Sequence, residues 1–108
     1  MPVSIQPQEL AARLQNGEQF YLLDVRQQPE HEYAALPNSQ LVPLHELPQR
    51  WQEIHPPSGS VLVAYCHHGV RSWHAAQFLE AAGLGPVLSL AGGLDAWSRE
   101  VDPSIPRY

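Results

Sequence analysis

Lysine is absent from this 108-residue chain: its six basic residues are all arginines, spread singly among eleven acidic ones, for a formal net charge of -5. With no basic cluster to follow a phosphate backbone, nucleic acid is not expected as a direct partner. Long apolar runs are missing too, and none approaches the roughly 20 residues that span a bilayer. The opening MPVSIQPQEL has neither the basic region nor the apolar stretch of a signal peptide. A soluble, cytoplasmic protein without a membrane partner is the expectation. Cysteine occurs once, at Cys66, which excludes an internal disulfide and leaves that thiol as buried filler, a reactive group or half of an intermolecular bond.

What is present describes a globular protein, with 44% hydrophobic and 16% charged residues. A chain of this length buries a core without staples, and no linker, repeat or low-complexity tract divides it. One domain over residues 1–108 follows. FYLLDV (20–25) and SVLVAY (60–65) are nearly continuous apolar runs, as in strands buried on both faces. QLVPL (40–44) and PVLSL (86–90) carry proline and suit strand beginnings or edges, and VSI (3–5) suits another edge. Pro7 and Gly17 bracket a first helix by the preference for proline inside the start and glycine past the end. Trp73, Ala76 and Leu79 share a stripe across residues 71–82, with Gly83 as the cap. Shorter helices are expected near 45–54 and 93–100, and the last residues, VDPSIPRY, as an extended surface segment. The alternation of strand and helix predicts an α/β fold with a largely parallel sheet.

The chemistry concentrates in YCHHGVRS (65–72). Cys66 falls at the carboxyl end of a central strand, where open α/β sheets bind ligands, just before a helix. Successive N–H groups of CHHGVR can curl into an anion-binding nest reinforced by the helix N-terminus, with Gly69 supplying backbone freedom. Such a nest favours the thiolate over the thiol. Between Glu53 and Glu80 there is no carboxylate, and Arg71 is the only formal charge. The competing readings are an inert buried cysteine and a zinc site from Cys66, His67, His68 and His74. The second is weak, because adjacent histidines diverge and no C-x2-C spacing supports them.

In order along the chain, LDVR (23–26), Glu30, SQLVPL (39–44), VAYCHHGVRS (63–72) and LSLAGGLDAW (88–97) resemble the signatures of single-domain rhodaneses, the thiosulfate sulfurtransferases. The resemblance spans nearly the whole chain. It implies a rhodanese-like α/β fold, a five-stranded, largely parallel sheet flanked by helices on both faces. It also implies sulfur transfer from a small anionic donor to cyanide, a thiol or a protein acceptor, without cofactor or metal. Carried over, Cys66 is the nucleophile that carries a persulfide. The loop N–H groups from His67 to Ser72, through His68, Gly69 and Val70, hold the persulfide, and Arg71 holds the donor at the rim. Asp24 and Arg26 support the loop scaffold, with Glu30 as an ion-pair partner for Arg26. Gly92 and Gly93 permit a tight strand-to-helix turn, and Trp97 anchors the core. The chain departs from the family at PNS (37–39), where glycine is usual; Asn38 tolerates left-handed dihedrals, so the turn should survive.

Two other functions compete. Cysteine-loop phosphatases and arsenate reductases use a related thiolate and nest but share a C-x5-R loop, whereas Cys66 to Arg71 is C-x4-R. The smaller ring suits one sulfur better than a tetrahedral phosphate. A non-catalytic sulfur-carrier or binding module is the third reading, and the presence of Cys66, Gly69 and Arg71 argues against it.

Overall fold

The structure, a computed structural model, describes residues 2–108; Met1, the first residue of the expected domain, lies outside them. Five strands form one all-parallel sheet: β1 (Val3–Ile5), β2 (Phe20–Asp24), β3 (Gln40–Leu41), β4 (Val61–Tyr65) and β5 (Val87–Leu90), in the order β1-β5-β4-β2-β3. The apolar runs read as central strands are central. Helices α1 (Pro7–Gln15), α2 (Gln28–Tyr33), α3 (Leu47–Arg50), α4 (Val70–Ala81) and α5 (Gly93–Glu100) connect and cover them.

Because successive strand residues face opposite sides, β4 contributes to two cores. Leu62, Ala64 and Cys66 pack with Leu47 of α3 and with Ala75, Ala76 and Leu79 of α4. Val63 and Tyr65 pack on the other face with Leu10 of α1 and with Leu94 and Trp97 of α5. Trp97 is therefore the core anchor expected. Residues Phe20–Asp24 pair in register with Val61–Tyr65, and the Val25 N–H extends the ladder to the Tyr65 carbonyl at 3.1 Å. Asp24, Arg26 and Cys66 thus leave the sheet side by side at its carboxyl edge. From here the chain order runs outward to β3 on one side and to β5 on the other, the arrangement that opens a crevice.

Three elements differ from expectation. The strand expected over 40–44 is regular only for Gln40–Leu41, although Val42 and Leu44 still donate to the Asp24 and Val25 carbonyls; Pro43 between them has no N–H to add. The helix expected near 45–54 breaks into a 3-10 turn (Leu44–Glu46), the single-turn α3 and a second 3-10 turn (Trp51–Glu53). Helix α2 was not anticipated, since QPEHEY carries no apolar stripe, and it is this helix that bears Glu30. At the PNS turn Asn38 takes φ 62, the left-handed conformation expected of it. The Tyr65 hydroxyl fixes that turn, accepting from the Leu36 N–H at 3.1 Å and bonding the Ser39 hydroxyl at 2.8 Å. Burial pushes the Tyr65 phenol up to about 12, with the Asp24 charge acting in the same sense, so it remains a neutral pin.

Candidate active site

Gly69, with φ 104, turns the chain out of the loop and caps α4, which begins at Val70. Few side-chain-bearing residues adopt that conformation, and the turn aims two backbone N–H groups at the Cys66 sulfur. The Gly69 N–H lies 3.1 Å from Sγ and the Ser72 N–H 3.3 Å. Among the described residues, the nest expected from the whole run His67–Ser72 narrows to these two donors at the sulfur. Behind it, Sγ lies 3.5 Å from the Ser72 hydroxyl, which contacts the Gly69 carbonyl at 3.2 Å and the Ser89 hydroxyl at 2.7 Å. Ser89, buried in β5 beside Ala64, was not singled out from the sequence. Its only signal was one hydroxyl in the run VLSL.

The loop carbonyls are held away from the sulfur by α5. Leu94 and Asp95 donate their N–H groups to the carbonyls of Cys66 and His67 at 2.7 and 3.1 Å. This contact requires a glycine at 93. A Cβ there would lie 2.4 Å from the Cys66 oxygen and 2.4 Å from the His67 carbonyl carbon and oxygen. The pair Gly92–Gly93 therefore does more than turn the chain, because it lets α5 dock onto the cysteine loop.

Arg26 is fully buried and held by Asp24: Nε and the backbone N–H reach Oδ1 at 2.9 Å each, and NH2 reaches Oδ2 at 2.7 Å. Its NH2 also donates to the Ala34 carbonyl, and His31 Nδ1 lies 2.8 Å from Asp24 Oδ2. Burial opposes the Arg26 cation, but the Asp24 and Tyr108 hydrogen bonds outweigh it and raise its pKa. The bond to the Ala34 carbonyl ties the end of β2 to the residue after α2. The expected direct pairing of Glu30 with Arg26 does not occur: Asp24 takes Nε and NH2, and the Tyr108 hydroxyl stands between NH1 and the Glu30 carboxylate.

Glu30 instead grips Arg71, with NH1 2.8 Å from Oε1 and NH2 3.1 Å from Oε2. The Gln27 N–H adds a bond to Oε1 at 2.9 Å and the Tyr108 hydroxyl one to Oε2 at 2.8 Å. Four donors thus fill the roughly four acceptor sites of one carboxylate. The Arg71 hydrogen bonds foremost, with those of Gln27 and Tyr108, hold the Glu30 carboxyl down at about 2 against its burial. The same pair raises Arg71. The arginine expected to meet a donor anion is therefore engaged by a carboxylate of the chain itself.

Most of the last residues lie on the surface, as expected, but two of them are anchored to the fold. Ile105 is buried and its carbonyl accepts from Ser98 at 2.7 Å. Tyr108 folds back over the cysteine loop, accepting from Arg26 NH1 at 2.8 Å while donating to Glu30. Its ring lies 4.0 Å from the His67 ring, centroid to centroid, and meets Tyr33 edge-on at 5.9 Å. Sequence spacing gave no sign of this contact, which closes a loop of 82 residues to Arg26.

His67 is half-buried, its Nδ1 enclosed without a hydrogen-bond partner among the described residues, and burial lowers its pKa, with the neighbouring His68 acting in the same direction. His68 is exposed, its Nε2 4.0 Å from Asp95 Oδ2, and Val70 is exposed at the rim. The metal grouping found among the described residues is His67, His68 and Asp95, with ligand atoms within 4.8 Å of one another. It differs from the cysteine-containing set weighed above: Cys66 is outside it and His74 points to solvent on α4. Arg99 and Arg107 already bind Asp95, each at 3.1 Å, which weakens that carboxylate as a metal ligand.

Residues 6–100 match the family model of the rhodanese-like domain. A sulfurtransferase of Allochromatium vinosum is 36% identical over 94% of this chain and 92% of its own. The adenylyltransferase and sulfurtransferase MOCS3-1 of Zea mays is 35% identical over 86% of this chain, which spans only 21% of that larger protein. Among solved structures, a rhodanese-related protein of Thermoplasma volcanium superposes with a TM-score of 0.82 at 27% identity, covering 98% of this chain and 99% of that one. The human single-domain sulfurtransferase TSTD1, at 24% identity, shares the fold with a TM-score of 0.75 over 90% of this chain and 96% of its own. With fold, loop and sequence in agreement, the chain belongs to the rhodanese-like sulfurtransferase family.

Proposed function

We propose that the protein, as a single domain over residues 1–108, moves sulfane sulfur from a donor such as thiosulfate to a thiophilic acceptor through a persulfide on Cys66. The observation that carries this reading is the sulfur itself, which accepts N–H groups from Gly69 and Ser72 at the start of α4. Preorganised donors of this kind stabilise negative charge on sulfur during attack and in the persulfide that results. The thiolate attacks the outer sulfur of thiosulfate; a bond forms between the two sulfurs, the S–S bond of the donor breaks, and sulfite leaves with the electron pair. Cyanide or a thiolate then takes the outer sulfur as thiocyanate or a new persulfide, and Cys66 returns as thiolate. Charge and atoms balance in each half, and neither half calls for a cofactor.

Two half-reactions separated by a covalent intermediate give ping-pong kinetics. Arg71 would meet the donor at the rim, while Asp24 and Arg26 hold the loop scaffold. We place the reaction in the cytoplasm, where reduced thiols are abundant acceptors, with a small thiol or a protein thiol as acceptor. The test is thiocyanate release from thiosulfate and cyanide by the wild-type protein and by Cys66→Ser. Activity in the wild type and its loss in the variant are expected. Equal activity in both, or hydrolysis of an aryl phosphate in place of sulfur transfer, would overturn the reading.

A further inference from the structure

Arg71 is the only formal charge between Glu53 and Glu80, and both of its terminal nitrogens are occupied by Glu30. The pair is partly enclosed, with the Arg71 side chain 34% and the Glu30 side chain 21% exposed. Glu30 has no slack to move aside, because Gln27 holds one of its oxygens and Tyr108 the other. Tyr108 is in turn fixed from behind by the buried Arg26 and by its ring contacts with His67 and Tyr33. A carboxylate therefore sits where a dianionic donor would seek the guanidinium, and Cys66 below it is only 1% exposed.

We propose that Glu30, pinned by Tyr108, is a specificity-determining residue that screens Arg71 from free dianions and biases the loop toward sulfur donors of the thiol-persulfide class. The inference rests on the Cys66 persulfide reading. Thiosulfate brings two negative charges and needs a cation to hold them; with Glu30 in place the guanidinium is already neutralised, and the donor must break two charge-assisted hydrogen bonds to use it. A thiol persulfide carries its outer sulfur on a neutral carrier or as a single charge, so it loses less by finding Arg71 engaged. The donor preference follows from competition between two anions for one arginine, and it is a difference in affinity.

Steady-state kinetics of Glu30→Gln and Tyr108→Phe with thiosulfate and with cysteine persulfide, each against cyanide, test this. Removing the competing charge in Glu30→Gln should raise the ratio of thiosulfate to persulfide kcat/KM about tenfold, a size typical of such couplings, with the change carried by the thiosulfate KM. Tyr108→Phe removes one of the two donors to Glu30 Oε2, loosens the carboxylate, and should move the ratio the same way by a smaller factor. An unchanged or lowered ratio in both variants would make Glu30 a scaffold residue and overturn the inference. Calorimetric titration of thiosulfate into Cys66→Ser, with and without Glu30→Gln, decides the matter without turnover. Tighter binding on removal of the carboxylate is expected, and equal binding refutes the screen. If neither donor loads Cys66 in the wild type, the persulfide reading has failed, while the calorimetric comparison still decides whether Glu30 screens Arg71.

Discussion

At the residue scale, the sulfur of Cys66 is governed by neighbours of very different visibility. Gly69, Arg71 and Ser72 lie within six positions and announce themselves in the sequence. Ser89 comes from another strand, and its hydroxyl closes a buried chain from Ser72 to the sulfur. Ser89→Ala should leave the Ser72 hydroxyl with only the Gly69 carbonyl and the Cys66 sulfur and cost about 1 kcal/mol, the usual net value of one such bond; urea unfolding measures it, and an unchanged midpoint would show the bond to be idle. Glu30 is expected from the sequence to pair with Arg26 and pairs with Arg71 instead. The reason is geometric: Glu30 is four positions from Arg26 and 41 from Arg71, and only the tertiary fold makes the distant residue the near one.

Among elements, the strands and the two longest helices were legible because burial dictates their pattern. Continuous apolar runs at 20–25 and 60–65 have one stable placement, between two helical layers, and the helix read over 71–82 is found at Val70–Ala81. Helix α2 was not legible, because QPEHEY is polar and buries none of its residues. The irregular stretch after β3 was misread for a related reason: Pro43 and Pro48 interrupt what the apolar spacing would otherwise continue. The docking of α5 onto the cysteine loop was half legible, as a glycine pair without its purpose. Gly93→Ala tests that purpose. A Cβ 2.4 Å from the Cys66 and His67 backbone, at a φ of 64, should destabilise the protein by roughly 2–3 kcal/mol and lower sulfur transfer with it. Full activity and an unchanged urea midpoint would mean that α5 does not hold the loop.

Across the whole molecule, the carboxyl edge of the sheet carries local ion pairs, Asp24 with Arg26 and Asp95 with Arg99, and pairs that join separate segments, Asp95 with Arg107 and above all Glu30 with Arg71. The Glu30 pair has a definite pH signature. Its folded-state pKa is about 2 against an ordinary 4.5, so the stability it contributes is fully present above about 4.5 and is lost as pH falls through 2. The stability difference between wild type and Glu30→Gln, followed by urea unfolding, should be largest above pH 4.5 and shrink toward pH 2. A difference independent of pH would show that the carboxylate charge contributes nothing. Tyr108 belongs to this scale as well, since its contacts to Arg26, Glu30 and His67 join the segment after α5 to three other parts of the chain. All of this organisation converges on one sulfur atom, and the most direct measurement is the mass of the intact protein after brief incubation with thiosulfate. The account predicts the addition of one sulfur atom, located on the peptide containing Cys66, absent in Cys66→Ser and removed by cyanide as thiocyanate; an unchanged mass in the wild type, or the same addition in Cys66→Ser, would contradict it.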